Sequence, residues 1–329
     1  MPTYRRIFLL AGISLAVSAT LPGALAQTPQ LEQARILVGF PAGGGTDASA
    51  RRLAEGLTGR YAKSVIVENK PGASGRLAVD ELRRGAMDGS LLLVQPEAVV
   101  TQQPLVDPKY TNFKFDDVVA VAAIGSIQHA FAVGPTVPES VKTMKDFFEW
   151  AKANPSKASF GTPGNNSAQD FLMRSVGRSV TGELTHVPYK GSAPGVQDLI
   201  AGQITAFLSP VGDTLPYTAS GRVRLLGTSG EQRSKFAPNV PTFAEQGLPE
   251  MTLVEYFGVW MARGTPDAVQ ANASAAVRSV VSQPATAEAL LKFGIEATPI
   301  SQQEFASAIR ASNAAWAERL RKIGFKPET

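Results

Sequence analysis

The sequence predicts an α/β protein of two lobes, and three observations predict it. Short β-rich runs alternate with helical ones along most of the chain, the pattern of a mainly parallel sheet with helices on both faces. A glycine turn, Ala42-Gly43-Gly44-Gly45-Thr46-Asp47, joins a strand-like run to a helical one, and a second glycine-rich turn at 161–167 does the same in the middle of the chain. A length of 329 residues exceeds a typical single domain and suffices for two cores.

Residues 1–26 stand outside that fold. Arg5 and Arg6 precede an apolar run over 7–17, and Ala24-Leu25-Ala26 is a small-x-small cleavage site, so the segment reads as a secretory signal peptide with Gln27 as the mature N-terminus. The run is too short for a transmembrane helix. Cleavage takes two arginines from 32 basic residues and leaves 30 against 28 acidic ones, a net +2. With so small an excess and no clustered basic footprint, nucleic acid is not an expected partner. The chain has no cysteine, which excludes disulfides, thiol catalysis and thiolate metal sites and leaves no acceptor for a bacterial lipid anchor. The expectation is a monomer that diffuses freely in the periplasm, with no metal and no cofactor.

Taken in order, 36–40 reads as a strand and 48–61 as a helix. Residues 64–68 are strand-like, 78–84 helical and 91–94 strand-like again, a βαβαβ unit. Two separate strands follow at 118–124 and 130–133. The helical pattern over 144–153 is stopped by Asn154-Pro155. A short strand at 157–160 leads through the second glycine turn to a helix over 168–176. The third such unit has 185–189 as strand, 190–194 as turn and 196–201 as helix. Strands at 203–208 and 223–228 complete this region. Beyond a Pro-rich connection, 256–262 is a strand, and two helices at about 266–282 and 302–323 end the chain.

Gly43-x-Gly45-x-x-Ala48 after a strand fits the dinucleotide fingerprint, and Glu68 sits where the ribose-binding acid belongs. Asp47 argues against it, because a carboxylate in the first helical turn occupies the neighbourhood of the pyrophosphate. No Gly-Lys-Ser/Thr follows, so a Walker loop is a weaker match still. The bland reading makes the glycines a tight turn and Asp47 an acid favoured by the helix dipole. The functional reading takes the two turns together: two helix N-termini with exposed amides, facing each other across a cleft, form a site for a small anion.

Catalytic constellations are poorly represented. His129 and His186 are the only histidines, and neither a Gly-x-Ser-x-Gly elbow nor a His-Glu-x-x-His helix occurs. His186 reads as a structural histidine on a strand, Arg51-Arg52 as a solvated helix face and Trp260 as core. Tyr189 ends a strand before a glycine turn, where it either offers its hydroxyl to a ligand or packs with that hydroxyl bonded internally.

The stretches FPAGGGTDASARRLAEGL, VIVENKPGASG, AMDGSLLLV, ASFGTPGNNSAQDFL, HVPYKGSAPGVQDLIAGQI, RLLGTSGEQRSKFAPNVPTFAEQGLP and YFGVWMARGTPDAV resemble, in the same order, the Bug family of tripartite tricarboxylate transporter substrate-binding proteins. The resemblance implies a periplasmic-binding-protein fold of type II, the Venus-flytrap arrangement. Lobe one would hold 27–128 and 252–329, and lobe two 129–251. It implies a non-catalytic receptor that captures a small organic carboxylate for the transporter's membrane components, or that reports it to a sensor protein. An exported hydrolase or isomerase built on Asp47, His186 or Tyr189 is the rival.

Carried onto this chain, the resemblance places Phe40, Ala42, Gly43, Gly44, Gly45, Thr46 and Asp47 in the first-lobe loop, with Ser74 beside it. Thr162, Pro163, Gly164, Asn165, Asn166 and Ser167 form the second-lobe loop, with Gln169, Tyr189 and Ser192 near it. Three positions depart from the family pattern. Ser209 stands where relatives often have an acid or amide, and Glu255 and Tyr256 replace a common serine and tryptophan. Glu255 either faces the cleft, where it can meet a cationic or hydroxylated part of a ligand, or faces solvent.

Overall fold

The computed structural model describes residues 30–107, 112–177, 180, 182 and 184–327; the expected signal peptide lies outside them. Ten strands follow in chain order: β1 (Leu31–Val38), β2 (Ala62–Asn69), β3 (Leu91–Pro96), β4 (Val118–Val133), β5 (Ser159–Thr162), β6 (Thr185–Pro188), β7 (Ala206–Pro210), β8 (Arg224–Thr228), β9 (Val254–Ala262) and β10 (Glu296–Ala297). Their main order is β2-β1-β3-β9-β4-β7-β5-β6, with β8 and β10 also paired to β4.

β4 belongs to both lobes. From Val118 to Gln128 it runs antiparallel to β9, and from His129 it pairs instead with β7 and then β8. Two strands were expected here, separated by the polar run Gly125 to His129. One continuous strand forms because the ladder is made by backbone groups, and Ser126, Ile127 and Gln128 find partners in Tyr256, Glu255 and Val254. Register shifts between Ala120 and Ala122 and between Ala123 and Gly125 bend the strand before it crosses, as bulges do.

Each half is doubly wound. In the first, helices Gly45–Leu57 and Asp267–Val281 bury Leu53, Leu57, Val277 and Val280 against one face of β1, β3 and β9. Helices Arg76–Arg83 and Gln302–Lys322 cover the other with Val79, Leu82, Phe305 and Ile309. In the second half, Phe147 and Leu172 cover one face of β7 and Val196 and Leu199 the other. Completely buried Phe131, Phe147 and Phe207 each stabilise their lobe by about 3–5 kcal/mol relative to alanine.

Local signals set some helix starts. Thr143 caps Met144–Ala153 and Ser301 caps Gln302–Lys322, each in a reciprocal box with Asp146 or Glu304, which satisfies two orphan amides apiece. The first long helix starts at Gly45 rather than 48, since Gly45, Thr46 and Asp47 form its first turn. β1 starts at Leu31 rather than 36, because β2 pairs with its polar beginning. The helix Pro284–Leu291, with proline in its first turn, and the short β10 were not expected from the sequence.

Candidate functional site

After β1 the chain turns sharply into the first glycine loop. Gly39 allows the turn: a Cβ there would lie 2.2 Å from Gln95 Nε2 and 2.6 Å from the Gly75 Cα. Gly43 has φ 92°, a conformation that L side chains rarely adopt. Asp47, third residue of the helix, accepts the Gly43 N–H at 2.9 Å, the Asn69 side-chain amide at 2.9 Å and Arg51 Nε at 2.9 Å. Asn69 also donates to the Phe40 carbonyl at 3.0 Å, so one asparagine pins both ends of the loop. Burial pushes the Asp47 carboxyl up, but the bonds from Arg51, Gly43 and Asn69 together outweigh it and hold the group below the usual carboxylate range.

The loop therefore offers backbone rather than side chains. The amides of Gly44, Gly45 and Thr46 precede the helical ladder, whose first bond from this end is Ala48 N–H to the Gly44 carbonyl. Nothing lies within 4 Å of a Cβ built on Gly43 or Gly44, so the loop is open at the positive end of the helix.

The second loop repeats the construction. Ser167 caps the helix Ala168–Val176, and Asp170, again its third residue, accepts the Asn166 N–H at 3.0 Å. Arg174 grips Asp170 through Nε at 2.9 Å and Nη2 at 2.6 Å. Thr162 is fully buried and bonds the Gly164 carbonyl and His186 Nε2. Pro163 accepts the Gly191 N–H at 2.8 Å, which docks the loop on the turn before Ser192. Asn165 is exposed.

Several residues singled out in the sequence are occupied internally. Tyr189 donates its hydroxyl to Asp198 at 2.8 Å and sets its ring edge-on to Phe207, the packed alternative. His186 stacks on Phe160 with ring centroids 4.8 Å apart, and burial lowers its pKa. Arg51 is exposed, as expected of a solvated helix face, and its guanidinium also reaches back to Asp47. Glu68, at the position of a ribose-binding acid, is held by Arg35 at 2.6 and 2.7 Å, and that bond draws its pKa down to about 2. Ser74 is exposed with φ 54°, and Ser209 is buried with its hydroxyl 3.3 Å from the Pro210 carbonyl.

Glu255 and Tyr256 part company, because successive strand residues face opposite sides of a sheet. Tyr256 points to the C-terminal helix, 6.0 Å from the Phe305 ring, and does not join the cleft as expected. Glu255 lies on the other face with its pairing partner Ile127 and with Phe257 two residues on. Ile127 and Phe257 line a cavity of about 260 Å³ together with Gly45 and Thr46 from the first loop and Pro210, Gly212 and Asp213 from the second lobe. Its volume falls below the roughly 300–1,000 Å³ of drug-sized sites, which suits a small metabolite. A larger hollow of about 720 Å³ borders Asn165 and Asn166 but is bounded by Arg174, His186 and the C-terminal segment, without any first-loop residue.

Two residues that the sequence did not single out as site residues, His129 and Asp213, stand in or beside this cleft, and a third, Glu97, lies behind it against the C-terminal helix. His129, fully buried at the crossing of β4, meets the Gln169 side-chain amide at Nδ1, 3.0 Å away. Its Nε2 lies 3.5 Å from Glu255 Oε2 and makes no hydrogen bond. Asp213 hydrogen-bonds Ser192; burial raises its pKa, and Ser192 and His129 partly offset the rise. Glu97 is 1% exposed, with one carboxyl oxygen bonded to Ser312 at 2.8 Å and the other buried without a partner. Burial pushes its pKa well up, and Glu255 adds to the rise against the Ser312 bond. The available signals were acids just beyond the C-terminal ends of β3 and β7, where ligands of open α/β sheets gather.

The halves touch around the cleft. Gln102 donates to the Asn166 carbonyl at 2.9 Å, Phe171 packs edge-on against Trp316, and Lys235 pairs with Glu296. Gly212 and Gly294 meet backbone to backbone, so that a Cβ on Gly212 would come within 2.8 Å of the Gly294 Cα.

Comparison with known proteins adds four findings. Residues 49–325 match the sequence profile described as tripartite tricarboxylate transporter family receptor. A Cupriavidus necator protein named "UPF0065 protein in gbd 5'region" is 32% identical over 316 residues, 92% of this chain and 92% of that one. Protein BugT of Bordetella pertussis is 27% identical over 325 residues, 98% of each chain. Among solved structures, R. palustris Rpa4515 with adipate superposes with a TM-score of 0.77 at 25% identity, covering 90% of this chain and 98% of the other.

Proposed function

The chain belongs to the tripartite tricarboxylate transporter receptor family, and on that premise we propose that it is a periplasmic solute-binding protein that captures a small organic carboxylate between its lobes. The observation that carries this reading is the pair of matching loops, each opening a helix at its N-terminus and each held in shape by an acid and an arginine. A carboxylate accepts the amides there in the way helix termini bind anions generally. The likeness to a structure solved with adipate supports the same ligand class.

The protein acts without catalysis. The rival needs Asp47, His186 or Tyr189 as a reactive group, but Asp47 is bonded to Arg51 and Asn69, His186 to Thr162, and Tyr189 to Asp198. Lobe one comprises 27–128 and 252–329 and lobe two 129–251, with β4 and the segment before β9 as the two crossings. A ligand carboxylate that touches both loops does so only when the lobes are shut, so binding favours the closed population by that differential affinity. The signal peptide at 1–26 sends the chain to the periplasm, where it hands its ligand, as a monomer, to the membrane components of a tripartite transporter. No helix among the described residues is long and apolar enough to cross a membrane.

The test is a thermal-shift screen of ligand-stripped, refolded protein with mono-, di- and tricarboxylates and their amides. A ligand at about 100 times its Kd adds about 2.7 kcal/mol, a shift of several degrees. The expected result is a shift with at least one acid and none with its amide. Equal shifts with acid and amide, or none throughout, overturn the carboxylate reading.

A further inference from the structure

The cleft has a second end, opposite in sign to its helix N-termini. Glu255 lies on the cavity's face of β9, Asp213 lines the cavity from the second lobe, and Glu97 stands within electrostatic reach of Glu255. Glu97 and Glu255 are buried and Asp213 is half-buried. The fold treats its other buried acids differently. Asp47 is paired with Arg51, and Asp170 with Arg174. Among the described residues, no lysine or arginine forms an ion pair with Glu97, Asp213 or Glu255; the one basic group at hand is the His129 ring. Lys292 borders the same cavity but is exposed at its rim.

An unsatisfied atom marks the same place: His129 Nε2, on a completely buried ring beside Glu255, has no hydrogen-bond partner. Gln169, second residue of the helix that opens the second loop, holds the opposite ring nitrogen at 3.0 Å. The Gln169 contact at Nδ1 leaves Nε2 turned toward Glu255. The carboxylate-binding loop and the acidic end are thus joined through one histidine.

Buried carboxylates without a cation are costly, and a cation placed among them recovers much of that cost. The described residues contain no group of three or more acids, histidines or cysteines arranged for a metal ion, which leaves an organic cation. We infer that the ligand is a zwitterion, whose carboxylate meets the two helix N-termini while a protonated amine sits between Glu255 and Asp213. This rests on the carboxylate-receptor reading above and narrows it from organic acids to amino acids and related ammonium carboxylates.

The experiment compares matched pairs by calorimetric titration of the stripped protein: alanine with propionate, glutamate with glutarate, γ-aminobutyrate with butyrate. The expected result is that in at least one pair the amine-bearing member binds at least about tenfold tighter, the scale of a buried charge contact. Glu255→Gln and Asp213→Asn then narrow that ratio. If the des-amino members bind as well as or better than their partners, the zwitterion inference is overturned and the carboxylate receptor stands. If no member of any pair and no carboxylate of the wider screen binds, both readings fall. The wild-type comparison decides the matter even if a variant does not fold.

Discussion

Asp47 and Asp170 occupy equivalent places in the two lobes. Each is the third residue of its helix, each accepts the backbone N–H four residues upstream, from Gly43 and Asn166, and each holds the arginine four residues downstream, Arg51 and Arg174. Both upstream residues have positive φ, 92° and 54°. An acid this close to a helix N-terminus would repel an incoming anion if left alone. Pairing it with arginine cancels much of its charge, so the loop keeps its shape and the free amides keep their field.

Replacing either acid should therefore have the same two effects. Asp47→Asn and Asp170→Asn each lose charge-assisted bonds and should lower stability by about 1–3 kcal/mol while weakening ligand binding. Urea denaturation and calorimetric titration measure the two effects. Lost stability with unchanged affinity in both variants would remove the loops from the binding site.

The glycines of the first loop separate by role. Gly44 has φ −83° and open space around its Cβ position, so Gly44→Val should change stability by no more than about 0.5 kcal/mol yet crowd the amides and reduce affinity. Gly39→Ala drives a methyl into Gln95 and the Gly75 backbone and should cost about 1–3 kcal/mol. Melting temperatures and titrations of the two variants check the contrast.

Gly212 and Gly294 meet backbone to backbone between the two halves, and this contact is expected to limit how far the lobes close. A side chain at Gly212 meets backbone atoms at 2.8 and 2.9 Å, which cannot rotate aside. Gly212→Val should hold the lobes apart, giving a larger radius of gyration by small-angle scattering with saturating ligand, and weaker binding. An unchanged scattering curve would show that closure does not pass through this contact.

Glu97 gives a pH dependence of definite sign. Its folded pKa is raised, first by burial, so its favourable share of stability is present below the ordinary glutamate value and is lost as pH rises through the folded value. Glu97→Gln keeps an acceptor for Ser312 and removes the titration. The variant should match the wild type in melting temperature near pH 4 and exceed it near pH 8; a constant difference across that range contradicts the assignment.

Much of the secondary structure was legible because its causes are local. Apolar periodicity marked the helix Met144–Ala153 and the short strands around the glycine turns, and Asn154-Pro155 marked a stop. β4 was read as two strands because Gly125 to His129 lacks the apolar character of its flanks, while its ladder depends on β9, more than 120 residues away in the chain. The glycine loops stood out by composition, but the part played by Asp170 did not, since its partners Asn166 and Arg174 look like ordinary helix residues. Tyr256 was grouped with Glu255 by adjacency, and strand alternation separates them.

By itself the sequence determined the α/β alternation, the two glycine loops and the absence of thiol chemistry, and the order of its motifs indicated the receptor family. These follow from residue type and near-neighbour spacing, which act over a turn or a strand. Only the tertiary structure decided that Glu255 turns inward, that His129 links it to Gln169, and that Asp213 joins them from the second lobe. Those residues are brought together by the crossing of β4 between lobes, and a burial that depends on contacts so distant in the chain leaves no periodic mark in the sequence.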